Sequence, residues 1–230
     1  TPVAERSLEP RPLPEEIEFL LTHIARYLTQ DPRPADVLSC FAGLRPLVRG
    51  GRAAEKTAAL SRDHTLLVSP SGLVTITGGK WTTYRRMAED AIDQAALVAG
   101  LDERPSPTAD LRLHGYDEEI RPEAAWAEYG ADAPALARLA AELTGWDEPL
   151  HFNLPYRACE VIWAARHEMA RTVEDVLARR TRALILDARA SAEIAPEVAR
   201  LLAAELGKDE AWQRRQVAEY RGLARGYWLE

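Results

Sequence analysis

From Pro14 onward apolar residues recur at helical spacing (Ile17, Leu20, Leu21, Ile24 and Leu28) behind a first turn that holds a proline and the acids Glu15 and Glu16. The pattern predicts a helix, closed by Asp31-Pro32-Arg33-Pro34. Residues 1–13 carry Pro2, Pro10 and Pro12 with little periodicity and read as an extended lead-in, as though the chain begins in mid-protein. The short apolar run 37–48 contains Gly43 and Pro46 and predicts a strand that bends at the glycine, with Gly50-Gly51 opening a loop. Two β-rich runs, 65–68 and 73–77, flank Ser69-Pro70-Ser71-Gly72 and predict an antiparallel hairpin. The second run leads through Gly78-Gly79-Lys80 into a predicted helix from Trp81 to about Val98. Met87, Ala88, Ala91, Ile92, Ala95 and Val98 lie on one stripe of it, and Gly100 stops it.

Residues 102–110, with Pro105 and Pro107, are the best linker candidate. Beyond them alanine, leucine, arginine and glutamate dominate with helical periods, predicting helices near 119–129, 133–144, 156–169, 173–189, 196–206 and 209–228. Thr172-Val173-Glu174-Asp175 places a capping hydroxyl three residues before an acid, ahead of Val176, Leu177, Leu184 and Ile185. The expected architecture is α+β. Residues 1–101 form a small antiparallel sheet with flanking helices, 102–110 a linker, and 111–230 an all-α C-terminal domain.

Composition narrows the reading. The 230 residues are 47% hydrophobic and 28% charged, which excludes general disorder and suits one large domain or two small ones. No run approaches the roughly 18 apolar residues of a membrane span, and the N-terminus has no signal-like pattern, so the expected location is cytoplasmic. Cys40 and Cys159 stand far apart without metal spacing and are expected to be buried thiols. The net charge of -7 falls entirely on residues 101–230, since residues 1–100 balance. An acidic second half argues against nucleic acid, and the short run Arg179, Arg180, Arg182 reads as a solvated helix face. Residues 36–86, by contrast, hold eight basic against three acidic side chains, a surplus suited to an anionic ligand.

Three segments place fixed positive charge or free amides at turns: Phe41-Ala42-Gly43-Leu44-Arg45-Pro46-Leu47, Ser61-Arg62-Asp63-His64, and Thr77-Gly78-Gly79-Lys80-Trp81-Thr82-Thr83-Tyr84-Arg85. In the third, the glycines let backbone approach a ligand, and the following helix offers unpaired N–H groups and a partial positive charge. Spacing alone leaves an anion site and a plain structural turn equally open there, and leaves Arg45 open as an exposed arginine in a bend. His64 reads as a packing or hydrogen-bonding residue, the other histidines as structural or surface, and Trp126, Trp146, Trp163, Trp212 and Trp228 as helix-packing anchors.

Taken in order, FAGLRPL, SRDH and TGGKWTTYR resemble the C-terminal part of the FAD-dependent, aerobic glycerol-3-phosphate dehydrogenases. TVEDVLARRTRALILD (172–187) resembles the signature of that family's C-terminal helical domain, so the likeness covers nearly the whole chain from Pro14. The resemblance implies oxidation of glycerol 3-phosphate to dihydroxyacetone phosphate, with hydride transfer to flavin and electrons passed to quinone or oxygen. It implies Arg45 as the substrate-contacting arginine and Lys80 as a residue beside substrate and flavin, both in the catalytic set. Arg62 is a weaker substrate-binding candidate whose competing reading is an ion pair with Asp63 or another carboxylate. Gly78, Gly79, Lys80, Trp81 and Thr82 are the implied cofactor-binding residues, and no metal is implied.

One departure is plain: the dinucleotide fingerprint GxGxxG occurs nowhere in the chain. The expectation is a C-terminal piece whose partner is the N-terminal FAD domain of the same protein, and which alone holds no FAD and does not turn over. The family implies peripheral attachment to the inner membrane face, and a homodimer is a further expected partner. The rival reading is a non-catalytic helical interaction or dimerisation module.

Overall fold

The computed structural model describes residues 7–44, 63–119, 121–142 and 144–229. They fall into two compact units: residues 44 and 63–114 in one, residues 7–43 with 115–229 in the other.

The first unit is the expected hairpin and helix. Strand β1 (His64–Val68) pairs antiparallel with β2 (Val74–Gly78), from His64 opposite Gly78 to Val68 opposite Val74. Gly72 at the tip adopts φ +83°, a left-handed conformation that glycine takes without strain. After a 3-10 turn at Trp81–Thr83, helix α2 (Tyr84–Ala99) packs on β2. It ends at Gly100, in left-handed conformation with its amide bonded to the Ala96 and Leu97 carbonyls. Met87, Ala91 and Ala95 of the expected stripe are half-buried, whereas Ala88, Ile92 and Val98 are exposed. Among the described residues of this unit none is fully buried.

The second unit holds the core. Helix α1 (Pro14–Ala25) starts where the sequence predicts, with Glu16 accepting from the Leu13 amide at 3.0 Å. Helix α3 (Ala133–Ala140) follows, then α4 (Ala158–His167), α5 (Ala183–Leu186), α6 (Ala188–Leu206) and α7 (Glu210–Ala224). Helix α6 is the hub, packing on α4, α5 and α7 and burying Ile194, Val198, Leu201 and Leu202 against Val161, Ile162, Val176 and Leu177. Aspartate caps open both long helices: Asp187 accepts from the Ala190 amide at 3.0 Å, and Asp209 from the Trp212 amide at 2.8 Å. Buried Ser191 and Tyr220 join α6 to α7 through their hydroxyls. Trp163 lies in the core and Trp126, Trp146, Trp212 and Trp228 pack against it, as expected of anchors.

Several expectations are corrected by particular residues. No strand forms in 37–44; the remainder of that predicted strand lies outside the described residues. Instead the segment is held by helix ends that have spare hydrogen-bonding groups. The first-turn amide of Ala188 donates to the Leu38 carbonyl (3.1 Å), the Ser39 hydroxyl donates to the Leu184 carbonyl (2.8 Å), and the Cys40 amide donates to the Tyr227 carbonyl (2.6 Å). The lead-in also docks: Tyr227 donates to Glu9 at 2.9 Å, and the Arg11 guanidinium lies over the Tyr227 ring.

The helix expected at 119–129 is replaced by turns and a 3-10 segment, Ala127–Asp132. Trp126 there takes φ +59°, and Gly130 packs so closely on the Gly115 carbonyl that a Cβ has no room. An unexpected short hairpin, β3 (Pro149–His151) with β4 (Leu154–Arg157), precedes α4.

The helix expected at 173–189 is broken. Its start is as predicted, with Asp175 accepting from the Thr172 amide and donating its own to the Thr172 hydroxyl, both at 3.0 Å. A π turn, Asp175–Arg180, follows, and Arg182 at φ +57° interrupts the run before α5. Helix α6 then begins at Ala188 rather than at Pro196, which sits inside it. An interior proline deprives the carbonyl four residues earlier of its partner. That carbonyl, Ala192, accepts instead from the Arg221 side chain on α7 at 3.2 Å. Cys159 is buried and its thiol is pushed up to about 11, mainly by burial, whereas Cys40 is only half-buried.

Candidate functional site

The Gly-Gly-Lys turn between β2 and α2 is where the described site residues converge. Gly78 and Gly79 take φ +78° and +84°, conformations that strain any residue with a Cβ. At Gly79 a Cβ would also lie 2.5 Å from the Met87 sulfur and 3.3 Å from the His64 Cβ. The left-handed backbone is thus what selects glycine here, while a methyl group would also push the end of the Met87 side chain aside.

Lys80 follows with extended backbone, and its carbonyl accepts from both the amide and the hydroxyl of Thr83 at 3.0 Å. The Lys80 side chain is exposed and makes no ion pair among the described residues. Trp81 and Thr82 open the 3-10 turn, so their amides have no acceptor within it. Among the described residues no side chain caps this helix start, and no acid occupies its first turn. Free amides, an ammonium and the positive end of a helix dipole thus share one place, an arrangement that stabilises a bound anion. Trp81 is 85% exposed, and its ring stacks on that of Tyr84 at 5.3 Å between centroids. It presents a flat aromatic face beside the lysine.

Beneath the turn runs a chain of polar contacts. His64 Nε2 bonds Asp90 Oδ2 at 2.8 Å, and Asp90 Oδ1 takes Arg86 Nε at 3.0 Å. Glu89 accepts from both Arg85 and Arg86 at 3.0 Å, and Arg85 reaches the Thr108 hydroxyl at 3.2 Å. Arg85 and Arg86 are consequently committed to carboxylates of α2, whereas Lys80 makes no ion pair among the described residues. Sequence spacing gives His64 a hydrogen-bonding role but hides its partner, 26 residues away. Gly78, Gly79, Lys80, Trp81 and Thr82 are thus adjoining, while Arg45 and Arg62 lie outside the described residues. Among the described residues no cluster of histidine, cysteine or carboxylate groups could hold a metal.

The second unit has perturbed carboxylates, and their surroundings are structural. Glu160, fully buried, accepts from the Arg157 amide at 2.6 Å and the Tyr129 hydroxyl at 3.0 Å. Burial raises its pKa, against the effect of these bonds, and burial also raises that of Tyr129. Burial pushes Asp175 upward too, but amides of Arg171 and Thr172 and the Thr172 hydroxyl outweigh it and hold the carboxyl below its usual range.

Residues 73–213 match the family model described as the C-terminal domain of alpha-glycerophosphate oxidase. Among curated proteins, the chain is 39% identical over 239 residues to a probable mitochondrial glycerol-3-phosphate dehydrogenase of Caenorhabditis elegans, covering 94% of this chain and 33% of that protein. It is 36% identical over 236 residues to the mitochondrial glycerol-3-phosphate dehydrogenase of Homo sapiens, covering 92% and 32%. The chain thus spans about a third of the length of these relatives. In three dimensions it resembles the X-ray structure of a glycerol-3-phosphate dehydrogenase from Bacillus halodurans complexed with FAD. The TM-score is 0.69 at 25% identity, over 95% of this chain and 46% of that one. The two curated relatives are named as mitochondrial proteins, which overturns the expectation of a cytoplasmic chain. No helix among the described residues is long and apolar enough to cross a membrane. By the family match, the chain belongs to the family described as the C-terminal domain of alpha-glycerophosphate oxidase, and over nearly its whole length it is similar to part of proteins named glycerol-3-phosphate dehydrogenases.

Proposed function

We propose that this chain supplies part of the substrate and flavin site of an enzyme that oxidises glycerol 3-phosphate to dihydroxyacetone phosphate, with electrons passed on to quinone or oxygen. The observation that carries the reading is the Gly-Gly-Lys turn, which among the described residues has no side-chain cap and an ammonium with no ion pair, an arrangement that suits an anionic oxygen. The same turn fits FAD: Gly78, Gly79 and the amides of Lys80, Trp81 and Thr82 would hold the polar edge of the isoalloxazine. When bound, FAD supplies the hydride acceptor for the C2–H of the alcohol.

Lys80 places a full positive charge where negative charge grows during the reaction and holds one side of the substrate. Arg45 grips the phosphate or steadies a developing C2 alkoxide; its guanidinium keeps its proton, so it orients and stabilises rather than acting as base. Arg62 adds a weaker contact to the same dianion. The rest of such an enzyme, including an N-terminal FAD domain, would bring the dinucleotide-binding fingerprint and further substrate ligands, and a homodimer is a compatible assembly.

Arg45→Ala and Lys80→Ala in the complete protein test the assignment. Each is expected to lower kcat/KM for glycerol 3-phosphate by at least about 2 kcal/mol, Arg45→Ala mainly through KM. Unchanged kcat/KM in both would sink the assignment.

A further inference from the structure

We infer that His64, through Asp90, is a positioning residue for Lys80, a role that rests on the reading of the Gly-Gly-Lys turn given above. Two consecutive left-handed glycines have no side chains with which to fix their own conformation. The direction in which Lys80 leaves the turn must therefore be set by contacts on either side of it.

His64 supplies such a contact to both sides at once. On the strand side it is the register partner of Gly78, and its Cβ lies directly beneath Gly79. On the helix side its ring bonds Asp90, two turns into α2, while Arg86 holds the other oxygen of that carboxylate. An ionised carboxylate only accepts, so Nε2 carries the hydrogen and donates. Both side chains are little more than a fifth exposed, so this bond is shielded from water in a way that the more exposed arginine pairs on α2 are not. The start of β1, paired with the end of β2, is thereby strapped to α2 beneath the turn. Met87 fills the space beneath Gly79 but makes no directional bond, so the strap fixes orientation where packing fixes only distance.

The strap is tested in the complete protein with His64→Asn, which moves the donor nitrogen back by about one bond, and His64→Gln, which carries its nitrogen close to Nε2. His64→Asn is expected to raise KM for glycerol 3-phosphate roughly tenfold, with kcat changed less than about threefold and flavin content and Tm unaltered. His64→Gln is expected to restore KM to within about threefold. Amide hydrogen exchange gives a readout independent of turnover. In His64→Asn the amides of Lys80, Trp81 and Thr82 should exchange faster, while those of Leu66 and Ile76 in the hairpin stay unchanged. Equal behaviour of the two variants, or lost flavin and a lowered Tm in both, would overturn the positioning role. An inactive wild-type protein would sink the functional reading instead, and exchange at the turn would still decide the strap.

Discussion

The two units spend their residues differently. In the helical unit Leu136, Val161, Val176, Leu177, Val198 and Leu202 are almost wholly inaccessible, and even the polar groups inside are matched, as Ser191 is by Tyr220 and Gln216 by the Val173 amide. In the hairpin unit no described residue is fully buried, Leu97 and Ile92 are about 70% exposed, and the organised contacts are polar ones beneath a glycine turn. Cohesion therefore resides in one unit and candidate chemistry in the other. Burial of apolar surface supplies most folding free energy, so substitutions in the two units should differ in kind: stability in the first, geometry in the second.

The largest expected effect comes from a core deletion. Leu202→Ala should cost about 2–5 kcal/mol in urea unfolding, whereas Leu97→Ala on the exposed face of α2 should stay within about 0.5 kcal/mol. Equal costs would erase the contrast. Gly79→Ala is expected next, at about 1–3 kcal/mol locally, because the left-handed backbone and Met87 both oppose a methyl group. Its signature should be a weakened substrate site with nearly unchanged global unfolding, measured as KM against the urea midpoint. Arg221→Ala, which leaves the Ala192 carbonyl without the donor that replaces the Pro196 amide, should lower stability by about 1 kcal/mol in the same titration.

The smallest effects are in pH dependence, and they carry opposite signs. Glu160 holds its proton more tightly folded than unfolded, so its stabilising contribution is full below the unfolded glutamate value and is lost as pH rises through the higher folded one. Asp175 behaves conversely: its contribution is present above the unfolded aspartate value and is lost as pH falls through the lower folded one. Stability measured against pH should accordingly flatten on the alkaline side of that range in Glu160→Gln and on the acid side in Asp175→Asn. Neither change should alter exchange at the Gly-Gly-Lys turn.

The hairpin and α2 were legible because their signals are local: β-rich runs, a Ser-Pro-Ser-Gly tip, and a glycine stop. The motifs around Lys80 were legible for the same reason, as contiguous residues at a strand-to-helix turn. What escaped depends on distant partners. Pro196 looks like a helix start because its lost hydrogen bond is made good only by Arg221, and residues 37–44 look like a strand because their hydrogen bonds go to helix ends near Leu184, Ala188 and Tyr227. Arg182 breaks a helical period through a backbone angle that no hydrophobic pattern encodes. The strap from His64 to Asp90 was invisible in the same way, since each residue alone is ordinary and only the fold puts them 2.8 Å apart.

The central claim is that this chain is a working part of a flavin-dependent glycerol-3-phosphate dehydrogenase, and one assay bears on it most directly. The complete protein is purified, its bound flavin is measured by absorbance, and glycerol 3-phosphate-dependent reduction of an artificial electron acceptor is followed. Bound FAD with rapid reduction that collapses in Lys80→Ala is the predicted result. A flavin-loaded protein that ignores glycerol 3-phosphate, or one whose turnover is indifferent to Lys80, would contradict the account.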